Sequence, residues 1–405
     1  MIDPVPTRAE ALARLDAFRP RMGRRYAAGR NTDAGPGAHR AVSGLSPWIS
    51  RRLLTEPEVI AAALDDHGPE EAEKFVQEVV WRGYFKGWLE QRPQVWDGYR
   101  RGLEADLAGL EADRARARAV RAACDGRTGL DCMDAWAEEL VTTGYLHNHA
   151  RMWFASIWIF TLDLPWRVGA DFFYRHLLDG DAASNTLSWR WVAGLHTRGK
   201  PYAADAQNIR RFTNGRFAPR PSDLAEVSEG LESTEPDGLP PLQPLRRPVA
   251  PDATRPTALL ITDQDCCVED FAPDRLPLVA SATLAASHLR SPLAVAPFVA
   301  AFEAGALADA ADRAGVAPDR LEARDPADLA RWAAAAGARQ IVTPFVTRGP
   351  LRDWLDAARP ALADRGIALT EWQRDWDRRV WPLATAGYFK LRQRIPDLTR
   401  DLTRG

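Results

Sequence analysis

Cysteine, glycine-rich phosphate loops and long apolar runs are scarce or missing in this chain. Its 405 residues include only 4 Cys, at positions 124, 132, 266 and 267, with no CxxC pair and no zinc-like spacing. This small number of cysteines without a pairing pattern indicates free thiols, as is typical of proteins in a reducing compartment. The N-terminal MIDPVPTRAEALARL has no apolar signal segment, and no apolar run reaches transmembrane length. We therefore expect a cytoplasmic protein with no membrane partner and no metal site.

A strong basic excess is also missing. The formal net charge is -2, and 27% of the residues are charged, which excludes a dedicated nucleic-acid binder that relies on overall charge. Any DNA binding would depend on a local patch. The turn after the first predicted strand, DQDCCVED, contains no Gly, so the GxGxxG dinucleotide fingerprint is absent.

The composition divides the chain into two domains. Residues 1–220 carry helical periodicity, residues 221–256 are rich in Pro, Ser, Glu and Asp and lack aromatic residues, and residues 257–400 alternate strands with helices. This pattern predicts a helical domain, an extended linker and an α/β domain with a five-stranded parallel sheet of Rossmann-like type. The strands are predicted at 257–262, 277–281, 319–323, 339–345 and 367–372. The helices between and after them are predicted at 294–314, 326–337, 349–365 and 380–395.

Residues 128–191 hold the densest group of aromatic and polar candidates. Trp residues recur there beside the acidic turn Asp179-Gly180-Asp181, and since a buried indole needs a partner for its N–H, the stretch indicates one wall of an aromatic cofactor pocket. Upstream, Glu78, Trp81 and Arg82 share one helix face, which alone would indicate only a surface ion pair beside a core Trp. The Ser-rich loop near residue 43 is either a surface loop or an anion cradle.

Four motifs resemble the FAD-binding domain of the photolyase/cryptochrome family over nearly all of residues 20–218. They are VSGLSPWI (42–49), EVVWRGYF (78–85), GYLHNHARM (144–152) and PWRVGADFF…LLDGDAASNTLSWRW (165–191). Their types, order and intervals match the family together, whereas any one of them would be weak. The resemblance implies an all-helical FAD-binding domain of photolyase type in residues 1–220.

The resemblance also implies which residues hold FAD. The implied cofactor-binding residues are Tyr26, Ser43, Gly44, Leu45, Ser46, Arg82, Arg151, Asp179, Asp181 and Asn185. Within this set, Asp179 is expected to pair with Arg151, and Asn185 to face flavin N5 as a neutral donor and acceptor. An antenna chromophore is not indicated by any residue pattern.

The implied function is light-driven repair of cyclobutane pyrimidine dimers by electron transfer from excited reduced FAD. The damaged DNA, with its dimer flipped out, is expected to contact Glu78, Trp81, Asn148, His149, Met152 and Trp191. Glu78 and Asn185 are expected to take part in catalysis, and Trp189 and Trp166 to supply electrons. The alternative is a cryptochrome-like blue-light receptor without repair activity. We expect a monomer, although the sequence does not fix the oligomeric state.

Three features depart from the family pattern. Residues 97–127 contain no Trp for the outermost position of the electron chain, His149 stands where many members have Arg, and Gly83 replaces an acidic residue. In addition, the family places its α/β antenna domain before the FAD-binding domain, whereas here an α/β region follows it. We interpret this order as a circular permutation; an unrelated α/β domain is the alternative.

Overall fold

The computed structural model describes residues 4–402. The first part of the chain is helical, because its amphipathic segments form helices that end at intervening Gly, Pro and Asp residues. The helices of this part are α1 (Arg8–Phe18), α2 (Arg24–Gly29), α3 (Ser46–Ser50), α4 (Glu56–Glu71), α5 (Glu73–Glu90), α6 (Pro93–Ala112), α7 (Arg114–Cys124), α8 (Asp131–Thr143), α9 (Asn148–Ser156), α10 (Trp166–His176), α11 (Ala182–Val192) and α12 (Ala206–Phe212). A π-helical turn, Ile157–Thr161, extends α9.

The second part is built on a parallel five-stranded sheet of order β3-β2-β1-β4-β5. Its strands are β1 (Thr257–Thr262), β2 (Leu278–Ala285), β3 (Asp319–Glu322), β4 (Gln340–Pro344) and β5 (Ala368–Trp372), and its helices are α13 (Pro297–Arg313), α14 (Pro326–Ala335), α15 (Pro350–Ala363), α16 (Asp375–Val380), α17 (Tyr388–Arg392) and α18 (Ile395–Thr399). The predicted five-stranded parallel sheet is confirmed.

Alternate residues of the central strand enter two different cores. Leu259 and Ile261 pack with the helical domain and α13, whereas Ala258 and Leu260 pack with α14 and α15. This follows from the two-residue period of a strand. One face of the sheet therefore shares a continuous apolar core with the helical domain. Among residues 4–402, no helix combines the length and apolar character that crossing a membrane requires.

A buried ion cluster also joins the two parts. Arg52, with φ 50°, donates to Asp377 at 2.6 and 2.8 Å and lies 3.3 Å from Glu56 and 3.4 Å from Asp265. All four side chains are at most 5% exposed. Since a buried charge is costly unless it is paired, this cluster fixes how the C-terminal segment lies on the helical domain.

One predicted helix was wrong. The segment expected as a single helix at 380–395 contains a 3-10 turn at Trp381–Leu383 and the short helix α17, with α16 ending at its start and α18 beginning at its end, because Pro382 and Gly387 interrupt it. Helix α6 ends before Asp113, whose carboxylate caps α7. In α1, the Thr7 side chain caps the helix, Leu15 and Phe18 are buried, and Leu12 is 38% exposed.

Candidate functional site

The Ser43–Ser46 loop forms a tight turn ahead of α3. Gly44 has φ +63°, a left-handed conformation that favours glycine, and a Cβ added there would meet no atom within 4 Å. The Ser43 hydroxyl accepts from the Leu45 N–H at 3.3 Å. The loop therefore orders its own backbone.

Arg151 and Asp179 form the ion pair that the family resemblance implies. The Arg151 Nη2 lies 2.9 Å from Asp179 Oδ2, and its Nε donates to the Leu146 carbonyl at 2.8 Å. Burial would raise the pKa of Asp179, but Arg151 and the Ser46 hydroxyl outweigh it and hold that pKa below its ordinary value. Asp179 is thus a carboxylate that links α9 to the Ser43–Ser46 loop.

Asp181 is the second carboxylate of the acidic turn. It caps α11 by accepting from the Ser184 N–H at 2.8 Å, and Lys86 Nζ lies 3.1 Å from its other oxygen. Burial opposes ionisation, yet Lys86 and Arg82 lower its pKa below the ordinary range. Asp181 therefore stays charged, with Lys86 as a counterion that sequence reasoning missed.

Arg82 carries unsatisfied donors close to these carboxylates. Its Nε and Nη2 are buried and have no hydrogen-bond partner among residues 4–402. A buried N–H donor without a partner costs free energy, so these two donors are suited to an acceptor that the protein itself does not provide. Tyr26 and Asn185, which are also among the residues expected to bind FAD, are both 8% exposed. The Asn185 amide donates to the Ala170 carbonyl at 2.8 Å.

The residues expected to meet DNA are already engaged with protein groups. The Glu78 carboxylate accepts from Arg30 at 2.5 Å, and burial raises its pKa although Arg30 opposes this. The Trp81 ring stacks on Tyr388 of α17, with centroids 3.6 Å apart and planes at 14°. Trp191 stacks on Tyr202 at 5.3 Å.

The three remaining predicted DNA contacts lie on α9. Asn148 is exposed and Met152 half-buried. The His149 ring stacks on Trp153 at 4.3 Å, and its Nδ1–H donates to the Asn31 carbonyl at 3.0 Å. Burial lowers the pKa of His149, so this ring is neutral at pH 7 and does not replace the charge of an Arg.

The predicted electron donors are buried aromatic residues with further aromatic neighbours. Trp189 lies 6.3 Å from Trp158, and Trp166 lies 5.9 Å from Tyr99, measured between ring centroids. Tyr99 in turn stacks on Trp96 at 5.4 Å, and the Trp96 indole N–H donates to Asp353 at 2.8 Å. Sequence reasoning missed Trp96 and Tyr99, although their three-residue spacing on α6 was the available signal.

Residues 75–217 match the family model described as the FAD binding domain of DNA photolyase. This part of the chain is therefore similar to the photolyase FAD-binding domain. Similar curated proteins include the deoxyribodipyrimidine photo-lyases of Thermus thermophilus, 35% identical over 49% of this chain and 45% of the relative, and of Streptomyces griseus, 36% identical over 40% and 34%. A bacterial class III photolyase structure from Agrobacterium tumefaciens is 25% identical with a TM-score of 0.42, covering 56% of this chain and 50% of that chain. The chain spans less than half the length of these two curated relatives.

The residues present fit the FAD that this family binds. The unpartnered Arg82 donors and the Ser43–Ser46 loop offer N–H and O–H groups to an anionic diphosphate. Arg151 and Asp179 hold that loop against α9, and Asp181 with its Lys86 partner offers a fixed carboxylate near Asn185. FAD binding in the helical domain therefore agrees with both the comparison and the donor set.

Proposed function

We propose that the protein is a light-driven, flavin-dependent DNA photolyase that repairs cyclobutane pyrimidine dimers. The observation that carries the proposal is the half-buried Arg82 side chain. Its Nε and Nη2 atoms are buried and have no protein partner in the described chain, and it lies on the same helix as Glu78 and Trp81. One helix thus offers donors for the cofactor phosphates and residues for the lesion. The chemistry that FAD supplies when bound is light-driven electron donation to the dimer.

The chain's own residues bind and orient. When FAD binds, Arg82 and the Ser43–Ser46 loop would hold its diphosphate, Asp181 would accept a hydrogen bond from the flavin ring, and Asn185 would be a neutral partner of that ring. On the substrate side, Trp81 and Trp191 offer aromatic faces, Met152 a thioether contact, and Asn148 and Glu78 polar contacts. Because burial raises its pKa, Glu78 is suited to share a proton with the edge of a flipped base.

Electrons reach the site along buried aromatic rings. Trp189 and Trp166 are the inner members of this route. In the proposal the route continues to Tyr99 and then Trp96, which replace the Trp that residues 97–127 lack. The Asp353 carboxylate accepts the Trp96 indole N–H and so stabilises positive charge on that ring.

The alternative is a cryptochrome-like receptor, and two contacts favour it. Tyr388 covers a face of Trp81, and Arg30 pairs with Glu78. A receptor would keep these contacts in the light, whereas a repair enzyme must exchange them for the dimer. The named relatives are photo-lyases, which supports repair as the first proposal.

The test combines an absorption spectrum of the purified protein with a repair assay. We expect a bound-flavin spectrum, and light-dependent restoration of an oligonucleotide that contains one thymine dimer. The Trp189→Phe variant should lose photoreduction but retain repair when it is chemically reduced beforehand. Two results together would support the receptor instead. The protein with reduced flavin would repair nothing in the light, and the protein with oxidised flavin would change its flavin spectrum in the light.

We also propose that the α/β domain is a circularly permuted antenna-like domain, with residues 1–220, 221–256 and 257–400 as the units. Two contacts between the units support this proposal. The Arg8 N–H of α1 donates to Asp309 of α13 at 3.1 Å, and α18 packs against α4. The four free cysteines, three of them buried, fit the proposed cytoplasmic location.

A further inference from the structure

Three side chains of metal-binding type converge between α8 and the loop that joins α2 to α3. Asp33 and His39 belong to the loop, and Glu139 belongs to α8. Their ligand atoms all lie within 4.8 Å of one another. The sequence alone predicts no metal site, because His39 and Glu139 are 100 positions apart. Only the fold brings the three groups together.

The two carboxylates of this cluster are buried, and only one of them has an arginine partner. Asp33 is 0% exposed, and its Oδ2 accepts from Arg216 at 2.5 Å and from the Trp136 indole N–H at 2.9 Å. The Glu139 side chain is 2% exposed, and its only ion-pair partner in the described part of the chain is His39. A buried carboxylate is costly unless it is paired or binds a metal. Glu139 therefore lacks a permanent positive partner.

The His39 ring directs one nitrogen towards both carboxylates. Its Nε2 lies 3.3 Å from Glu139 Oε1 and 3.9 Å from Asp33 Oδ1. Its Nδ1 is buried and has no hydrogen-bond partner among residues 4–402, so Nε2 makes the polar contacts of this ring. The ring also stacks on His147, with centroids 5.4 Å apart and planes at 18°. These contacts fix the direction in which Nε2 points.

The loop that carries Asp33 and His39 is held in place by its backbone. The Asp33 N–H donates to the Phe212 carbonyl at 2.8 Å, and Asp33 Oδ1 accepts from the Gly35 N–H at 3.1 Å. Gly35 has φ +89°, and a Cβ added there would lie 1.8 Å from Arg216 Nη1. A larger residue at this position would therefore push Arg216 away from Asp33. The ligand groups are thus ordered by the protein itself.

We propose that Asp33, His39 and Glu139 bind one Zn²⁺ ion. Zinc binds imidazole nitrogen and carboxylate oxygen in tetrahedral sites, where bonds of ~2.0–2.1 Å place two ligand atoms about 3.3 Å apart. His39 Nε2 and Glu139 Oε1 have this separation, and Asp33 Oδ1 completes the set after a small movement of its carboxylate. Mg²⁺ and Ca²⁺ prefer oxygen ligands alone, so the imidazole selects against them.

A zinc ion at this site would supply the positive charge that Glu139 lacks and would tie the loop to α8. The same loop continues from His39 into the Ser43–Ser46 turn, so the ion would stabilise the region that precedes this turn. None of the three ligands is among the residues assigned to FAD or to DNA. The zinc site is therefore independent of the proposed repair activity, and its test needs neither flavin reduction nor a lesion.

The test is calorimetric titration and thermal unfolding of the full-length protein with ZnCl₂ and with MgCl₂, after treatment with EDTA and removal of the chelator. We expect one Zn²⁺ per chain and a melting temperature that rises with Zn²⁺ but not with Mg²⁺. Glu139→Gln should weaken Zn²⁺ binding at least 100-fold, because even the second-shell partners of a metal contribute ~10–100-fold. Glu138→Gln, at the exposed neighbouring position of α8, is the matched control and should bind Zn²⁺ like the parent.

Three results would overturn the proposal. The first is chelator-treated protein that binds no Zn²⁺, since a protonated His39 would then balance the carboxylates alone. The second is Glu139→Gln binding Zn²⁺ like the parent, and the third is an equal rise in melting temperature with Mg²⁺.

If Glu139→Gln does not fold, X-ray absorption of the zinc-loaded parent decides. A ligand set of one imidazole and carboxylate oxygens would support the site. A Zn–S distance of ~2.3 Å, or a second imidazole, would place the ion elsewhere and contradict it.

Discussion

The ring of Trp81 lies face to face with the ring of Tyr388, with centroids 3.6 Å apart. The Tyr388 hydroxyl donates to the Gln77 carbonyl at 2.7 Å, one turn before Trp81 on the same helix. The C-terminal segment thus covers an aromatic face that the family resemblance assigns to the lesion. A base that stacks on this face of Trp81 must displace Tyr388.

Removing the Tyr388 ring should therefore strengthen binding of damaged DNA. We expect Tyr388→Ala to bind an oligonucleotide with one thymine dimer about tenfold more tightly, because base–aromatic stacking is worth ~1–3 kcal/mol per base. Fluorescence anisotropy against undamaged DNA measures the change. Phe389→Ala is the matched control, since its neighbouring ring is 74% exposed. Equal affinities for Tyr388→Ala and the parent would show that the covered face does not meet the lesion.

Local motifs and distant contacts were not equally predictable. Arg151 and Asp179 lie in motifs whose resemblance to the family implied their pairing, and the 2.9 Å contact agrees with it. Tyr388 is 307 positions after Trp81 (388 − 81) and belongs to no motif, so its place on Trp81 depends on how the domains pack. Lys86 likewise belongs to no motif, and only the structure shows that it is buried beside Asp181. Periodicity predicts faces of elements, whereas partners across domains follow from tertiary packing.

The Arg82 guanidinium should determine flavin affinity. We expect Arg82→Gln to weaken FAD binding about 10–100-fold, since hydrogen bonds to charged groups are worth ~1.5–3 kcal/mol each. Flavin fluorescence titration of protein freed of cofactor measures this. Arg24→Gln removes the same charge from a side chain that is 83% exposed and should leave flavin affinity unchanged. If Arg82→Gln keeps the parent's affinity, the diphosphate lies elsewhere.

Trp96 should limit the supply of electrons from outside. Its ring follows Tyr99 and Trp166 in the buried aromatic series, so Trp96→Phe should slow light-induced flavin reduction in the presence of a thiol several-fold. Repair by prereduced protein should not change, because that reaction does not use the route. Trp88→Phe is the control, since Trp88 packs on His196 and Arg92 instead. Equal photoreduction rates for Trp96→Phe and the parent would exclude this route.

Asp171 should make stability depend on pH. Its side chain is 1% exposed, and burial raises its pKa from 3.8 to about 6 although Arg175 lies 3.4 Å away. A carboxyl with a raised folded-state pKa contributes stability fully below pH 3.8, and that contribution is lost as the pH rises through about 6. Asp171→Asn should therefore exceed the parent in free energy of unfolding at pH 7.5 by up to about 3 kcal/mol, at ~1.4 kcal/mol per pKa unit. This advantage in free energy of unfolding should shrink towards pH 4, as urea unfolding at both pH values would measure.

The control is Asp163→Asn, at a side chain that is 97% exposed, which should differ from the parent equally at both pH values. A pH-independent difference for Asp171→Asn would mean that its effect is packing rather than ionisation.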